Sequence, residues 1–140
     1  MESLQGRTAL VTGGSRGIGE ACALALARAG CAVAVNYRER EREAERVCGA
    51  IRAAGGRALP FRADVSRAAE VKALAGAVRA ALGPISVLVN NAGVARVRPA
   101  MQVTEAEWDE AMAVNLKSAF LMTQAVAPDE LTGTLWWSRA

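Results

Sequence analysis

The stretch VTGGSRGIGE, residues Val11–Glu20, places four glycines between an apolar run and an amphipathic one. The preceding run, Thr8–Gly13, has the length and the Val and Leu content of a buried strand. The following run, Gly17–Ala29, is rich in Ala and Leu and stops at a glycine, as helices do. We favour a nucleotide phosphate site here over an ordinary glycine-rich turn, because the free N–H groups at a helix start attract anions.

The three glycines of the pattern G-x-x-x-G-x-G have different expected roles. Gly13 allows a tight turn off the strand, and Gly17 lets the backbone approach a pyrophosphate. Gly19 lets the helix pack close to the sheet. The spacing differs from the commoner G-x-G-x-x-G, but the physical requirements are the same.

Strand-like and helix-like runs alternate along the rest of the chain. Further strands are predicted at Cys31–Tyr37, Ala58–Asp64 and Ser86–Gly93, and further helices at Glu39–Ala54 and Ser66–Leu82. A last helix opens at Thr104, where Glu107 completes a capping box. Alternation of this kind predicts an α/β fold with parallel strands. We expect an open doubly wound sheet of four strands, in the order 3-2-1-4, with flanking helices.

Composition excludes several classes of protein. The 140 residues carry 17 Lys and Arg against 14 Asp and Glu, without a basic stripe, so nucleic-acid binding is not expected. The chain has no histidine, and its three cysteines form no C-x-x-C pair, so neither a zinc site nor a Ser-His-Asp triad is expected. No apolar stretch reaches membrane-spanning length, and the N-terminus lacks a signal-peptide pattern. These features favour a cytoplasmic protein that does not bind a membrane.

The end of the second strand indicates which dinucleotide binds. A carboxylate there would hold the ribose hydroxyls of NAD, but the chain has Tyr37 and Arg38, and its first acid is Glu39. Arg16 lies in the glycine loop. Two guanidiniums can bind a 2′-phosphate that a carboxylate would repel. We therefore expect NADP rather than NAD, although either arginine could be a solvated surface charge.

Four motifs occur in order: TGxxxGIG from Thr12, Asp64-Val65, NNAG at residues 90–93, and VNLKSAF around Asn115. Together they resemble the short-chain dehydrogenases/reductases. Residues 6–127 are similar in particular to the 3-oxoacyl-[acyl-carrier-protein] reductases of fatty-acid synthesis. The resemblance implies a Rossmann-like fold, NADP(H) as cofactor, and reduction of an acyl thioester substrate.

The resemblance also implies roles for single residues. Asp64 would bind the adenine amino group, with Val65 beside the ring, and Asn115 would hold a water in a catalytic proton relay. The cofactor-binding set is Gly13, Ser15, Arg16, Gly17, Ile18, Gly19, Tyr37, Arg38, Asp64, Val65, Asn91, Ala92 and Gly93. Other interpretations stay open: Asp64 as a turn or cap residue, residues 90–91 as a self-satisfied turn, and Asn115 as the cap of a helix kink.

The catalytic Ser, Tyr and Lys of this family have no counterpart among the 140 residues. The only tyrosine is Tyr37, the only lysines are Lys72 and Lys117, and no Y-x-x-x-K occurs. Ser138 follows two tryptophans rather than a strand like the family's fifth. We expect this chain alone to be inactive. The alternatives are a nucleotide-binding or edge-pairing module without catalysis, and a non-functional truncated product.

The family pattern ends near residue 127. We expect residues 1–127 to be an incomplete NADP-binding domain and residues 128–140 to be an atypical tail, arising from a frameshift, an alternative exon or a truncated gene model. The fourth strand would then be an exposed apolar edge through which the chain could self-associate. Whether Trp136 and Trp137 cover that edge is left open.

Overall fold

Among the residues that the computed structural model describes, 3–129 and 136–137, five parallel strands form one sheet in the order β3-β2-β1-β4-β5. The strands are β1 Thr8–Val11, β2 Ala32–Tyr37, β3 Arg57–Arg62, β4 Ile85–Asn90 and β5 Trp136–Trp137. The predicted order of the first four strands is confirmed. The predicted starts agree to within one residue, and three of the four predicted ends fall two or three residues too late, because those predictions include residues of the following turn.

The helices lie between the strands as predicted. They are α1 Gly17–Arg28, α2 Glu41–Ala53, α3 Ala68–Leu82, α4 Glu105–Met112 and α5 Ser118–Val126. The capping box is confirmed: the Thr104 hydroxyl accepts the Glu107 N–H at 3.2 Å, and the Glu107 carboxylate accepts the Thr104 N–H at 3.0 Å. Within the described part of the chain, no helix has the length and apolar character needed to cross a bilayer.

Apolar layers cover both faces of the sheet. Alternate residues of β1 point to opposite faces, with Ala9 and Val11 in one layer and Leu10 in the other. The first layer also contains Val47, Cys48 and Ile51 of α2. The second layer also contains side chains of α3 and α5, namely Val71, Leu74, Val78 and Leu82, and Met122 and Val126. The apolar side chains of α3 are thus buried against the sheet. Because apolar layers cover both faces of the sheet, its strands are nearly continuous apolar runs.

The outer edge of β4, which was expected to be exposed, is paired at one end by residues 136–137, whose position the sequence left open. Val89 lies opposite Trp136, and Asn90 lies opposite Trp137, in a parallel register. Two residues are enough for this pairing because main-chain groups at a sheet edge gain hydrogen bonds from any extended segment.

Asp129 lies past the predicted end of the family pattern and is nevertheless part of the fold. It belongs to a short 3₁₀ turn, Ala127–Asp129, that follows α5. Both of its carboxylate oxygens lie 2.7 Å from Arg79 Nε, and Oδ2 also accepts the Ile85 N–H at 2.9 Å. The hydrogen bond from Arg79 holds the pKa of Asp129 below its ordinary value. The rest of the tail, apart from the backbone of residues 136–137, lies outside the described residues.

Candidate functional site

A cavity of about 590 Å³ opens at the carboxyl ends of β1, β2 and β4. The strand order reverses between β1 and β4, and ligands of doubly wound sheets bind at such a switch point. The cavity lining contains every predicted cofactor-binding residue except Gly19: Gly13, Ser15, Arg16, Gly17, Ile18, Tyr37, Arg38, Asp64, Val65, Asn91, Ala92 and Gly93. Residues that are far apart in the sequence therefore form one wall.

The glycine loop has the backbone geometry that its residues predict. Gly13 and Gly17 have φ values of 60° and 55°, in the left-handed region that favours glycine. Gly19 lies behind the cavity wall, where an added Cβ would overlap the Gly13 carbonyl and the Asn91 side chain. No side chain caps the start of α1, so the N–H groups of its first turn remain available to an anion.

Thr12 joins the ends of β1 and β4, a role that the sequence prediction missed. Its hydroxyl oxygen accepts the N–H groups of Asn91 and Ala92, each at 3.0 Å. The Asn91 amide in turn donates to the carbonyls of Thr12 and Gly13, at 3.1 and 3.0 Å. The amide of Asn91 therefore positions the glycine loop as well as lining the cavity.

Asn36 is the second residue that the prediction missed. It is 2% exposed at the end of β2, and its carbonyl oxygen Oδ1 accepts the Gly13 N–H at 3.3 Å. Its Nδ2 donates to the carbonyls of Phe61 and Ala63, at 3.3 and 3.2 Å. The sequence signal for this role is a polar residue within an apolar strand, because a buried polar side chain needs hydrogen-bond partners.

Asp64 acts as a turn residue, as one of the open interpretations proposed. Its Oδ1 accepts the Ser66 N–H at 3.0 Å and the Ser66 hydroxyl at 2.6 Å. Burial raises the pKa of Asp64, but the Ser66 hydrogen bonds and the charges of Arg38 and Arg67 outweigh it, so the net pKa is lowered. The carboxylate is therefore ionised in the cavity wall. Its contact with adenine stays a prediction.

Two of the three arginines that line the cavity, Arg16 and Arg38, differ in their surroundings. Arg38 Nη2 lies 3.2 Å from Glu39 Oε1, and the Arg38 carbonyl accepts a hydrogen bond from Arg62 Nε at 3.2 Å. Arg16 forms no ion pair with any residue that the structure describes. Tyr37 is 8% exposed, and burial, followed by the influence of Glu41, raises its pKa.

Asn115 lies outside the cavity lining, in a π-helical turn, Ala113–Lys117, between α4 and α5. Its side chain makes two hydrogen bonds to the main chain of Val94, which lines the cavity. The Ser118 N–H bonds to Ala113 rather than to Val114, whose carbonyl accepts the Ser118 hydroxyl instead. Asn115 thus lies in an irregular turn of the helix, but its side chain bonds to Val94 instead of capping that turn. Its role in a proton relay stays a prediction.

Comparison with known proteins adds independent evidence. The family model described as short chain dehydrogenase matches residues 7–134. D-threitol dehydrogenase of Mycolicibacterium smegmatis is 44% identical over 123 residues, which cover 88% of this chain and 47% of the relative. 3-Oxoacyl-[acyl-carrier-protein] reductase FabG of Staphylococcus aureus is 44% identical over 125 residues, covering 89% and 51% respectively. The chain thus spans about half the length of these curated relatives.

Solved structures give the same result. A short-chain dehydrogenase from Burkholderia cenocepacia in complex with NADP superposes with a TM-score of 0.87 at 38% identity, over 91% of this chain and 52% of that one. A metagenomic short-chain oxidoreductase in complex with NADP gives a TM-score of 0.85 at 43% identity, over 91% and 58%. With a cavity at the switch point and a family model that matches most of its length, the chain belongs to the short-chain dehydrogenase/reductase family.

Proposed function

We propose that this chain binds NADP(H) in the cavity at the carboxyl ends of β1, β2 and β4. The observation that carries the proposal is the arrangement of the lining, which combines an uncapped start of α1, two left-handed glycines and an Arg16 that has no ion pair among the described residues. The start of α1 would hold the pyrophosphate, and Asp64 and Val65 would hold the adenine. Arg16 and Arg38 would hold the 2′-phosphate. When bound, NADPH supplies the hydride of a carbonyl reduction.

We propose that the parent activity is reduction of a 3-oxoacyl thioester to the 3-hydroxyacyl form, by analogy with relatives that are named for it. Hydride addition leaves negative charge on the carbonyl oxygen, which needs a proton donor. Asn115 would belong to that proton relay. Among these 140 residues the only tyrosine is Tyr37, whose raised pKa and place in the cofactor wall make it a poor donor. We therefore expect the 140-residue chain to bind cofactor without measurable turnover.

The test is calorimetric titration of the purified chain with NADPH and with NADH. NADPH oxidation with an acetoacetyl thioester is followed in the same preparation. We expect saturable NADPH binding and no oxidation above the rate without protein. NADPH oxidation that depends on the chain would contradict the expectation that the chain is inactive. A cooperatively folded chain that does not bind NADPH would contradict the proposed cofactor site. Non-cooperative thermal unfolding with aggregation would instead favour the alternative that these 140 residues alone have no function.

A module that pairs through β4 is the second candidate, with residues 1–127 as the cofactor-binding domain and 128–140 as the tail. The outer edge of β4 is contacted at both ends: the Ile85 N–H bonds to Asp129, and Val89 pairs with β5. The short part between them is the stretch considered for pairing with another chain. Sedimentation velocity at chain concentrations from about 5 to about 200 µM tests this candidate, because pairing of two β4 edges predicts a dimer whose fraction rises with concentration. A chain that stays monomeric over this range would contradict it.

A further inference from the structure

Glu20 places a negative charge in the first turn of α1, next to the proposed phosphate site. Its N–H donates to the Arg16 carbonyl at 3.2 Å, and Arg16 and Gly17 line the cavity, whereas Glu20 does not. Because the side chains of a helix lean toward its N-terminus, a side chain at residue 20 can extend back toward this turn. A free carboxylate there would repel the pyrophosphate that the start of α1 is proposed to hold.

Arg46, from the middle of α2, binds both oxygens of this carboxylate. Arg46 Nη1 donates to Glu20 Oε1 at 2.8 Å, and Nη2 donates to Oε2 at 2.9 Å. Two parallel bonds of this kind fix a carboxylate in both position and orientation. The hydrogen bond from Arg46 also lowers the pKa of Glu20, so the carboxylate stays ionised at neutral pH. Its charge is therefore compensated by a guanidinium rather than by a proton.

The backbone on both sides of this ion pair is anchored in the fold. Gly19, which precedes Glu20, is buried in contact range of the Gly13 carbonyl, and Val47, which follows Arg46, is fully buried in the core. The Glu20 side chain is 24% exposed and the Arg46 side chain 58%. Loss of the guanidinium would therefore leave a half-enclosed, ionised carboxylate beside the start of α1, free to turn toward the cavity.

We infer that Arg46 is a positioning residue for cofactor binding, because its guanidinium holds the Glu20 carboxylate away from the pyrophosphate and compensates its charge. This inference rests on the proposed NADP(H) site. NADPH and NADH both carry the pyrophosphate, so Arg46 strengthens the binding of the two cofactors by the same factor and leaves the choice between them unchanged.

The test compares Arg46→Gln with Arg42→Gln by calorimetric titration of the whole 140-residue chain with NADPH and with NADH. Arg42 is an exposed residue of α2 that does not line the cavity and has no ion pair with any residue that the structure describes, so its variant controls for the loss of one positive charge. We expect Arg46→Gln to bind both cofactors roughly threefold more weakly, as for one partly solvated charge near the site. The Arg42→Gln variant is expected to match the unmodified chain.

A double-mutant cycle with Glu20→Gln separates this role from a direct attraction between Arg46 and the cofactor. If Arg46 acts through Glu20, the loss of affinity disappears when Glu20→Gln is already present. A loss that persists there, one that is confined to NADPH, one that Arg42→Gln reproduces, or no loss at all would overturn the inference while leaving the cofactor site intact. Failure of the unmodified chain to bind either cofactor would overturn the proposed function as well, so the two failures are distinguishable. Thermal unfolding of each variant verifies that the substitutions leave the fold unchanged.

Discussion

Asn115 is bound to Val94 through both ends of its side-chain amide. Its Oδ1 accepts the Val94 N–H at 2.7 Å, and its Nδ2 donates to the Val94 carbonyl at 2.8 Å. The amide therefore pairs with the segment after β4 as a neighbouring strand would. Two ion pairs continue the attachment of this segment to α4, between Arg96 and Glu110 at 3.0 Å and between Arg98 and Glu107 at 3.1 Å.

Replacing Asn115 with Ala should loosen the wall of the cavity at Val94. Both hydrogen bonds are lost, and because they are partly solvated we expect a local cost of about 1 kcal/mol. The Val94 amide should then exchange with solvent deuterium roughly five- to tenfold faster, by hydrogen exchange with mass spectrometry or NMR. Lys117→Ala, in the same π-helical turn, is the control and should leave that rate unchanged. Equal exchange rates in the two variants would show that the amide does not hold the segment.

Removing the hydroxyl of Thr12 should destabilise the junction of β1 and β4. Thr12→Val keeps the shape but leaves the N–H groups of Asn91 and Ala92 without their acceptor, for which we expect a loss of about 1–3 kcal/mol in the free energy of unfolding. Thr12→Ser keeps the hydroxyl and should retain most of the stability. Urea unfolding of the three proteins measures the difference. A Val variant as stable as the unmodified chain would show that the hydroxyl does not hold the junction.

A methyl group at position 19 should disrupt the loop, whereas one at position 49 should be tolerated. The Cβ of Gly19→Ala would overlap the Gly13 carbonyl and the Asn91 amide, so we expect about 1–3 kcal/mol of destabilisation and weakened NADPH binding. Gly49 lies inside α2 with open space around it, and Gly49→Ala should stabilise by roughly 0.5–1 kcal/mol. Thermal unfolding distinguishes the two, and a neutral Gly19→Ala would refute the close-packing role of this glycine.

The strand order followed from short-range signals. Apolar runs and the Thr104 capping box each report on a few neighbouring residues, and both were confirmed. Part of the cavity lining was predicted from glycine spacing, and the rest, including Asp64 and Asn91, from the family resemblance. The roles of Thr12 and Asn36 depend on partners about 80 and 25 positions away, which no local pattern specifies. The pairing of β5 was left open by the sequence, because backbone hydrogen bonds at a sheet edge require little of the side chains.

Asp129 should support the fold at neutral pH and lose that effect in acid. Its hydrogen bond from Arg79 lowers its pKa in the folded state, so its contribution is present above the unfolded value of about 3.9 and disappears as pH falls through the lower folded value. We expect Asp129→Asn to cost about 1–2 kcal/mol at pH 7 and progressively less below about pH 4. Urea unfolding across this range measures the difference.

The exposed carboxylate of Asp109, replaced by Asn, serves as the control for that pH series. Its substitution should change the free energy of unfolding by less than about 0.5 kcal/mol. A difference between the unmodified chain and Asp129→Asn that stays constant from pH 7 to pH 3 would show that the ionised carboxylate is not the stabilising species.

The number of residues in the π-helical turn determines which side of α5 faces the sheet. No residue of α4 is buried, whereas Met122 and Val126 of α5 are fully enclosed in the core. Deleting one residue from Ala113–Lys117 would rotate everything that follows by about 100° around the helix axis. Met122 and Val126 would then turn away from the sheet, and Asn115 would lose its alignment with Val94. The extra residue of this turn thus changes the rotation of α5 about the helix axis relative to α4. As a result α4 stays at the surface while α5 packs into the core.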